Sequence, residues 1–138
     1  MQNPPKPPLL FACSGCSNAG QLADQLAREL DRRGIAEMSC LAGLGASKPH
    51  FLKKLSQREV WVIDGCAIAC GLGVFAVLGE HTDVHIRLHE LGVRKNAPLP
   101  AGRQLEELID AALRQAAQQK QEHTTARAGN EDRNHTNP

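Results

Sequence analysis

Residues 58–71 read REVWVIDGCAIACG, and the break from an apolar run into Asp-Gly-Cys decides how the chain folds. Val60 to Ile63 are apolar without alternation, the pattern of a strand covered on both faces, and such strands belong to parallel sheets. A second cysteine, Cys70, follows Cys66 by about one helical turn. The segment GLGVFAVLG (71–79) is apolar on nearly every side and reads as a short buried helix that Gly79 can end.

Working outward, the same order of strand, tight loop and helix recurs. LLFAC (9–13) is a short apolar run broken by SGCSNAG. Leu22, Leu26 and Leu30 then recur every fourth residue with Ala19, Ala23 and Ala27 beside them. This is an amphipathic helix, with Ser17 or Asn18 as N-cap and Gly34 just past its end. AEMSCLAG (36–43) reads as the next strand, and Ser47 with Pro49 opens a helix carrying Phe51, Leu52 and Leu55. Beyond residue 79, VHIRLHELGV (84–93) alternates Val84, Ile86 and Leu88 against His85, Arg87 and His89, a one-sided strand suited to a sheet edge. LPAGRQLEELIDAALRQAA (99–117) places Leu105, Leu108, Ile109, Ala112, Leu113 and Ala116 on one helix face. Alternating strands and helices predict an α/β fold, because parallel neighbours need crossover helices. The expected architecture is a single three-layer domain, flavodoxin-like or Rossmann-like, with a four-stranded, mainly parallel sheet and helices on both faces.

The ends differ in composition from this core. Residues 1–8, MQNPPKPP, hold four prolines and predict a disordered lead. Residues 118–138 contain no Val, Ile, Leu, Met, Phe or Trp and predict a disordered polar tail, which leaves 9–117 as the folded domain. With 16 basic and 15 acidic side chains the net charge is +1, so no global field recruits nucleic acid or an anionic membrane. No apolar run is long enough to span a bilayer, and the start of the chain lacks the apolar core of a signal peptide. The expectation is a cytoplasmic protein whose partner is a metal ion, with any protein partner left open; QLEELIDAALRQAAQQK (104–120) could bind one as an amphipathic helix, but core packing explains it without help.

Cysteine usage supplies the candidate chemistry. Cys13, Cys16, Cys40, Cys66 and Cys70 are odd in number, and in a reducing compartment metal ligation or thiol chemistry is favoured over structural disulfides. In open parallel sheets ligands collect at the carboxyl ends of the strands, and there Cys13 and Cys16 fall just after the first predicted strand, Cys40 at the end of the second, and Cys66 and Cys70 just after the third. The pair Cys13-x-x-Cys16 can close on one cation from a tight loop, and Cys66-x-x-x-Cys70 spans one helical turn. Helix N-termini close by favour thiolate over thiol. The bland alternative, cysteine as a small core hydrophobe, stays open for Cys40. Asp64 and Gly65 read first as structural, a helix cap and a turn, and second as an acceptor behind a thiol. The glycines of SGCSNAG, AGLGAS and CGLG allow an anion at the same edge, although neither GxGxxG nor GxxxxGK[ST] is present. His81, His85 and His89 recur every fourth residue, but the strand reading puts His85 and His89 on its solvent side.

CSGCSNAGQLADQLARELDRRGIAEMSCLAGLGASKPHF, followed by WVIDGCAIACG and HIRLHELGVRKN, resembles the DGC-domain family, to which zinc binding is assigned from its cysteines. The resemblance runs from about Cys13 to Lys95 and implies that Cys66 is the signature cysteine behind Asp64 and Gly65. It also implies that Cys13, Cys16, Cys40 and Cys70 fall where relatives carry cysteines. The expected function is therefore zinc binding by thiolates, structural or in metal handling, with an iron–sulfur cluster as a close variant. The competing expectation is a redox or sulfur-transfer enzyme using the same pairs. Against it, no histidine or arginine stands beside either pair in sequence, and no Cys-x5-Arg occurs.

Overall fold

The computed structural model describes residues 3–131. Four strands, β1 (Leu9–Ala12), β2 (Glu37–Met38), β3 (Val60–Asp64) and β4 (Val84–Arg87), form one sheet in the order β2-β1-β3-β4, every pair parallel. The helices are α1 (Asn18–Arg32), α2 (Leu41–Gly45), α3 (Pro49–Leu52), α4 (Cys70–Leu78) and α5 (Arg103–Glu131). Short 3-10 turns at Lys53–Leu55 and Leu88–Leu91 complete the fold.

Strand pleating divides the core. Leu10, Ala12, Trp61, Ile63, Val84 and Ile86 face one side, where they pack with Leu22, Leu26 and Leu30 of α1 and Ile109, Ala112 and Ala116 of α5. Leu9, Phe11, Val60 and Val62 face the other, against Leu44, Leu55 and Phe75. Successive residues point to opposite faces, so β1 and β3 must be apolar throughout, and both are wholly buried. The edge strand β4 is covered on one face and alternates, as its sequence requires. This is the expected three-layer α/β sandwich. Ser17 caps α1 by accepting a hydrogen bond from the Gly20 amide at 3.1 Å.

Several local expectations change. The strand read over 36–43 is only two residues long, because Cys40 takes the N-cap of α2, its Sγ accepting from the Gly43 amide at 3.3 Å. The strand read over 84–93 stops at Arg87, and His89 belongs to the turn that follows. The segment 71–79 is helical, but it is not buried on all sides. Only Gly71 and Phe75 of α4 are fully covered and Val77 is 89% exposed, because a nine-residue helix on an outer layer has one face toward the sheet.

The largest difference lies at residue 118, where the polar tail was expected. Helix α5 continues through Glu131, and residues 1, 2 and 132–138 lie outside the described residues. The lead at Pro7 and Pro8 is anchored too, their carbonyls accepting from Arg58 at 2.5 Å and from the Glu37 amide at 2.8 Å.

The polar side chains of α5 substitute for a missing fifth strand. Gln119 accepts from the His85 amide and donates to the His85 carbonyl, both at 2.7 Å, and Gln115 accepts from the Arg87 amide at 2.8 Å. They satisfy the outer edge of β4, which would otherwise present unpaired backbone groups. Gln119→Ala should cost about 1–2 kcal/mol, two hydrogen bonds on half-buried backbone. Faster amide exchange at His85 with α1 amides unchanged is the expected signature, and equal protection in both proteins would refute the role.

Candidate functional site

All strands being parallel, their carboxyl ends share one edge, and the order reverses between β1 and β3. There the loops after these strands meet. The Cys13 amide donates to the Ile63 carbonyl at 2.9 Å, extending the ladder one residue, and the Gly65 amide donates to Cys13 Sγ at 3.2 Å. The Asp-Gly-Cys sequence has a separate physical reason for each of its first two residues.

Asp64, 1% exposed, ends β3 with its carboxylate aimed along the start of α4. Oδ1 accepts from the Gly71 amide at 2.7 Å and Oδ2 from the Leu72 amide at 3.0 Å, so this side chain, seven residues ahead, caps the helix. Oδ2 also meets His85 Nε2 at 2.8 Å. Burial alone would push the Asp64 carboxyl up. The His85 bond and the Leu72 and Gly71 amides outweigh it and hold the group below its ordinary value. A Cβ on Gly71 would lie 2.8 Å from Asp64 Oδ1, so only glycine lets the carboxylate approach.

Gly65 passes against the first turn of α1. A Cβ there would stand 2.1 Å from the Ala19 carbonyl oxygen, closer than any real contact. The loop then turns through Cys66 to Ala69, whose left-handed backbone (φ 55°) starts α4, and Cys70 is the first helical residue.

His85 is thereby corrected from a solvent-side residue to a half-buried partner of Asp64, its side chain 12% exposed. The register explains the contact: Val62 pairs with His85, so His85 lies on the sheet face of Val62 and Asp64. Histidine on the polar face of an alternating strand was the available signal, but the strand register that supplies its partner is not in the local sequence. His89 is likewise not solvent-facing throughout, since its Nδ1 is buried without a hydrogen-bond partner.

The thiols are all free. Cys13 and Cys66 are half-buried, whereas Cys16, Cys40 and Cys70 are exposed. Burial pushes the Cys13 thiol up to about 11; the Gly65 amide opposes this, and the charges of Asp64, Cys66 and Cys70 add to it. Cys13, Cys66 and Cys70 are thus brought into one electrostatic neighbourhood, while Cys40 is engaged as the cap of α2. Among the described residues no three His, Cys, Asp or Glu side chains stand as a closed metal-ligating group. The donor chemistry, several thiols with a carboxylate behind them, suits a soft divalent ion, but the thiols would have to turn toward one another to hold it.

The rise from 9.0 to about 11 leaves Cys13 about a hundredfold poorer in thiolate than an unperturbed cysteine at pH 8. In the metal-free protein Cys13 should therefore alkylate more slowly than exposed Cys16 by about tenfold or more, the greater nucleophilicity of a more basic thiolate offsetting part of the hundredfold. Mass mapping of a timed iodoacetamide reaction checks this, and comparable rates would refute it.

A family model described as DGC domain matches residues 9–127. The match extends beyond residue 117, in keeping with the continued helix. Among curated proteins, the anaerobic and virulence modulator AnvM of Pseudomonas aeruginosa is 44% identical over 89 residues, covering 64% of this chain and 68% of the relative. No solved structure matches the chain. The family match spans the whole sheet, both loops at its switch point and most of α5, and the chain belongs to the DGC-domain family.

Proposed function

We propose that the protein binds a thiophilic divalent cation, zinc foremost, through Cys13, Cys66 and Cys70, with Cys16 available from the loop after β1. Cys40, the α2 cap, stands outside this set. The observation that carries the reading is the Gly65-to-Cys13 contact at 3.2 Å, which docks the two cysteine-bearing loops at the switch point. There the charges of Asp64, Cys66 and Cys70 each disfavour ionisation of Cys13, a repulsion that a bound cation would relieve. When bound, the metal would hold the two loops together and keep its ligands as thiolates.

Asp64 belongs behind this site. It fixes α4, and with it Cys70, through backbone amides, so the carboxylate orients a ligand-bearing helix. A metal held by thiolates is sensitive to oxidation, because oxidised sulfur is a poor ligand. This suits the name of the Pseudomonas relative, and we extend to this chain a role in responding to oxygen supply within a reducing compartment.

Purification without oxygen, followed by metal analysis and zinc titration, tests the proposal. One equivalent of zinc should bind, with proton release and an affinity that rises with pH, since a thiol held up to about 11 must lose its proton. Cys66→Ser should weaken binding at least tenfold, and Cys40→Ser should leave it unchanged. Five titratable thiols at saturating zinc would refute it, and a visible thiolate-to-iron band would move the assignment to an iron–sulfur cluster.

A further inference from the structure

On its outer side Cys66 borders a cavity that metal ligation does not use. The cavity measures about 250 Å³ and is lined in part by Cys66, Ile68, His89 and Lys95, with no carboxylate in its wall. This is below the roughly 300–1,000 Å³ of sites for drug-sized molecules, so the guest is small. His89 Nδ1 is buried without a partner, and buried polar atoms in native interiors are normally paired. Lys95 has no acidic partner among the described residues.

The backbone that carries the exposed Lys95 side chain is held in place rather than trailing as a free loop. Asn18, the first residue of α1, donates to the Arg94 carbonyl and accepts from the Asn96 amide, both at 2.8 Å, so the backbone is pinned on each side of Lys95. One small cavity is therefore lined by a cationic residue, by an imidazole whose Nδ1, tucked beneath the surface, lacks a partner, and by a cysteine. Its walls come from the loop after β3 and the turn and loop after β4.

We propose that this cavity binds a small anionic molecule. Lys95 neutralises its acid group, the His89 ring turns so that its unpartnered Nδ1 supplies a hydrogen bond, and an electrophilic atom of the guest is brought against Cys66 Sγ. The pocket shares Cys66 with the metal reading but does not depend on it. It makes Cys66 a charge-selective thiol, one that prefers an acid to a neutral molecule of the same size.

Iodoacetate and iodoacetamide are the probes, alike in size and different in charge. With either, a carbon–sulfur bond forms at Cys66 as the carbon–iodine bond breaks, iodide leaves and the thiol proton passes to solvent. Rates at each cysteine of the full chain, in buffer with a chelator, are read by peptide mass mapping. At Cys66 the ratio of the iodoacetate to the iodoacetamide rate should exceed that at exposed Cys16 by about fivefold, as a nearby fixed charge allows. Lys95→Gln should bring the ratio down to that of Cys16, Lys95→Arg should keep it, and His89→Leu should slow iodoacetate more than iodoacetamide. Equal ratios at Cys66 and Cys16, or a preference that survives Lys95→Gln, would overturn the proposal. Repeating the reaction with one equivalent of zinc separates the two readings: protection of Cys13, Cys66 and Cys70 against both reagents bears on the metal alone, charge selectivity in the chelated protein on this pocket alone.

Discussion

Asp64→Ala lowers the melting temperature by roughly 10 °C, the largest loss expected from any single substitution of a polar side chain in this protein. The carboxylate accepts from the amides of Gly71 and Leu72 and meets His85, all while 1% exposed. Truncation leaves two helix-terminal donors and an imidazole without their partner, a loss of about 3–5 kcal/mol by analogy with broken buried pairs. The helix that carries Cys70 loses its cap, so the candidate site loosens with the fold. Thermal melts with hydrogen exchange on α4 check this; a loss under about 1 kcal/mol would mean that water replaces the carboxylate and that Asp64 is no structural anchor.

The same residue sets a pH signature. Its folded carboxyl is held below the ordinary value, so its contribution is present above the unfolded value of about 4 and is lost as pH falls through the depressed folded value. Asp64→Asn removes this titration. Wild type and Asp64→Asn should differ most above pH 4 and converge below it. A gap that stays constant from pH 6 to pH 3 would refute the assignment.

Gly65→Ala is the second large effect, and its cause is steric. The added methyl would lie 2.1 Å from the Ala19 carbonyl oxygen and 2.4 Å from its carbon, both backbone atoms in the first turn of α1. No rotamer change relieves a backbone clash, so the loop after β3 must lift away from α1. The expected cost is about 3 kcal/mol, the upper end for overpacking. Because the Gly65 amide holds Cys13 Sγ, lifting the loop also separates the two cysteine-bearing segments. Denaturant melts should report the lost stability, and Cys13 alkylation should quicken relative to wild type. A fully stable variant with Cys13 equally protected would show that the loop has another low-energy path past α1.

The difference between Asp64 and His85 illustrates how far the sequence could be read. A capping role for Asp64 follows from its place between an apolar strand and a short helix, and its bonds to the Gly71 and Leu72 amides agree. His85 sits in a strand whose alternation correctly marks an edge, yet its pairing with Asp64 depends on the register between β3 and β4. The glutamines of α5 escape detection for a similar reason. In sequence they look like a solvated stretch, and only the placement of α5 beside β4 gives Gln115 and Gln119 backbone partners.

Local pattern was sufficient for the parallel α/β fold, because each strand and helix carries its own periodicity and a parallel sheet leaves few ways to connect them. It also sufficed to put every cysteine at or just past a strand end, and so on one edge. Which thiols come near one another, that Cys40 caps a helix apart from the others, and that His89 and Lys95 share a cavity with Cys66 were decided by tertiary structure alone. Those relations join residues from separate crossovers, and their distances depend on strand register and loop packing, which no short stretch of sequence encodes.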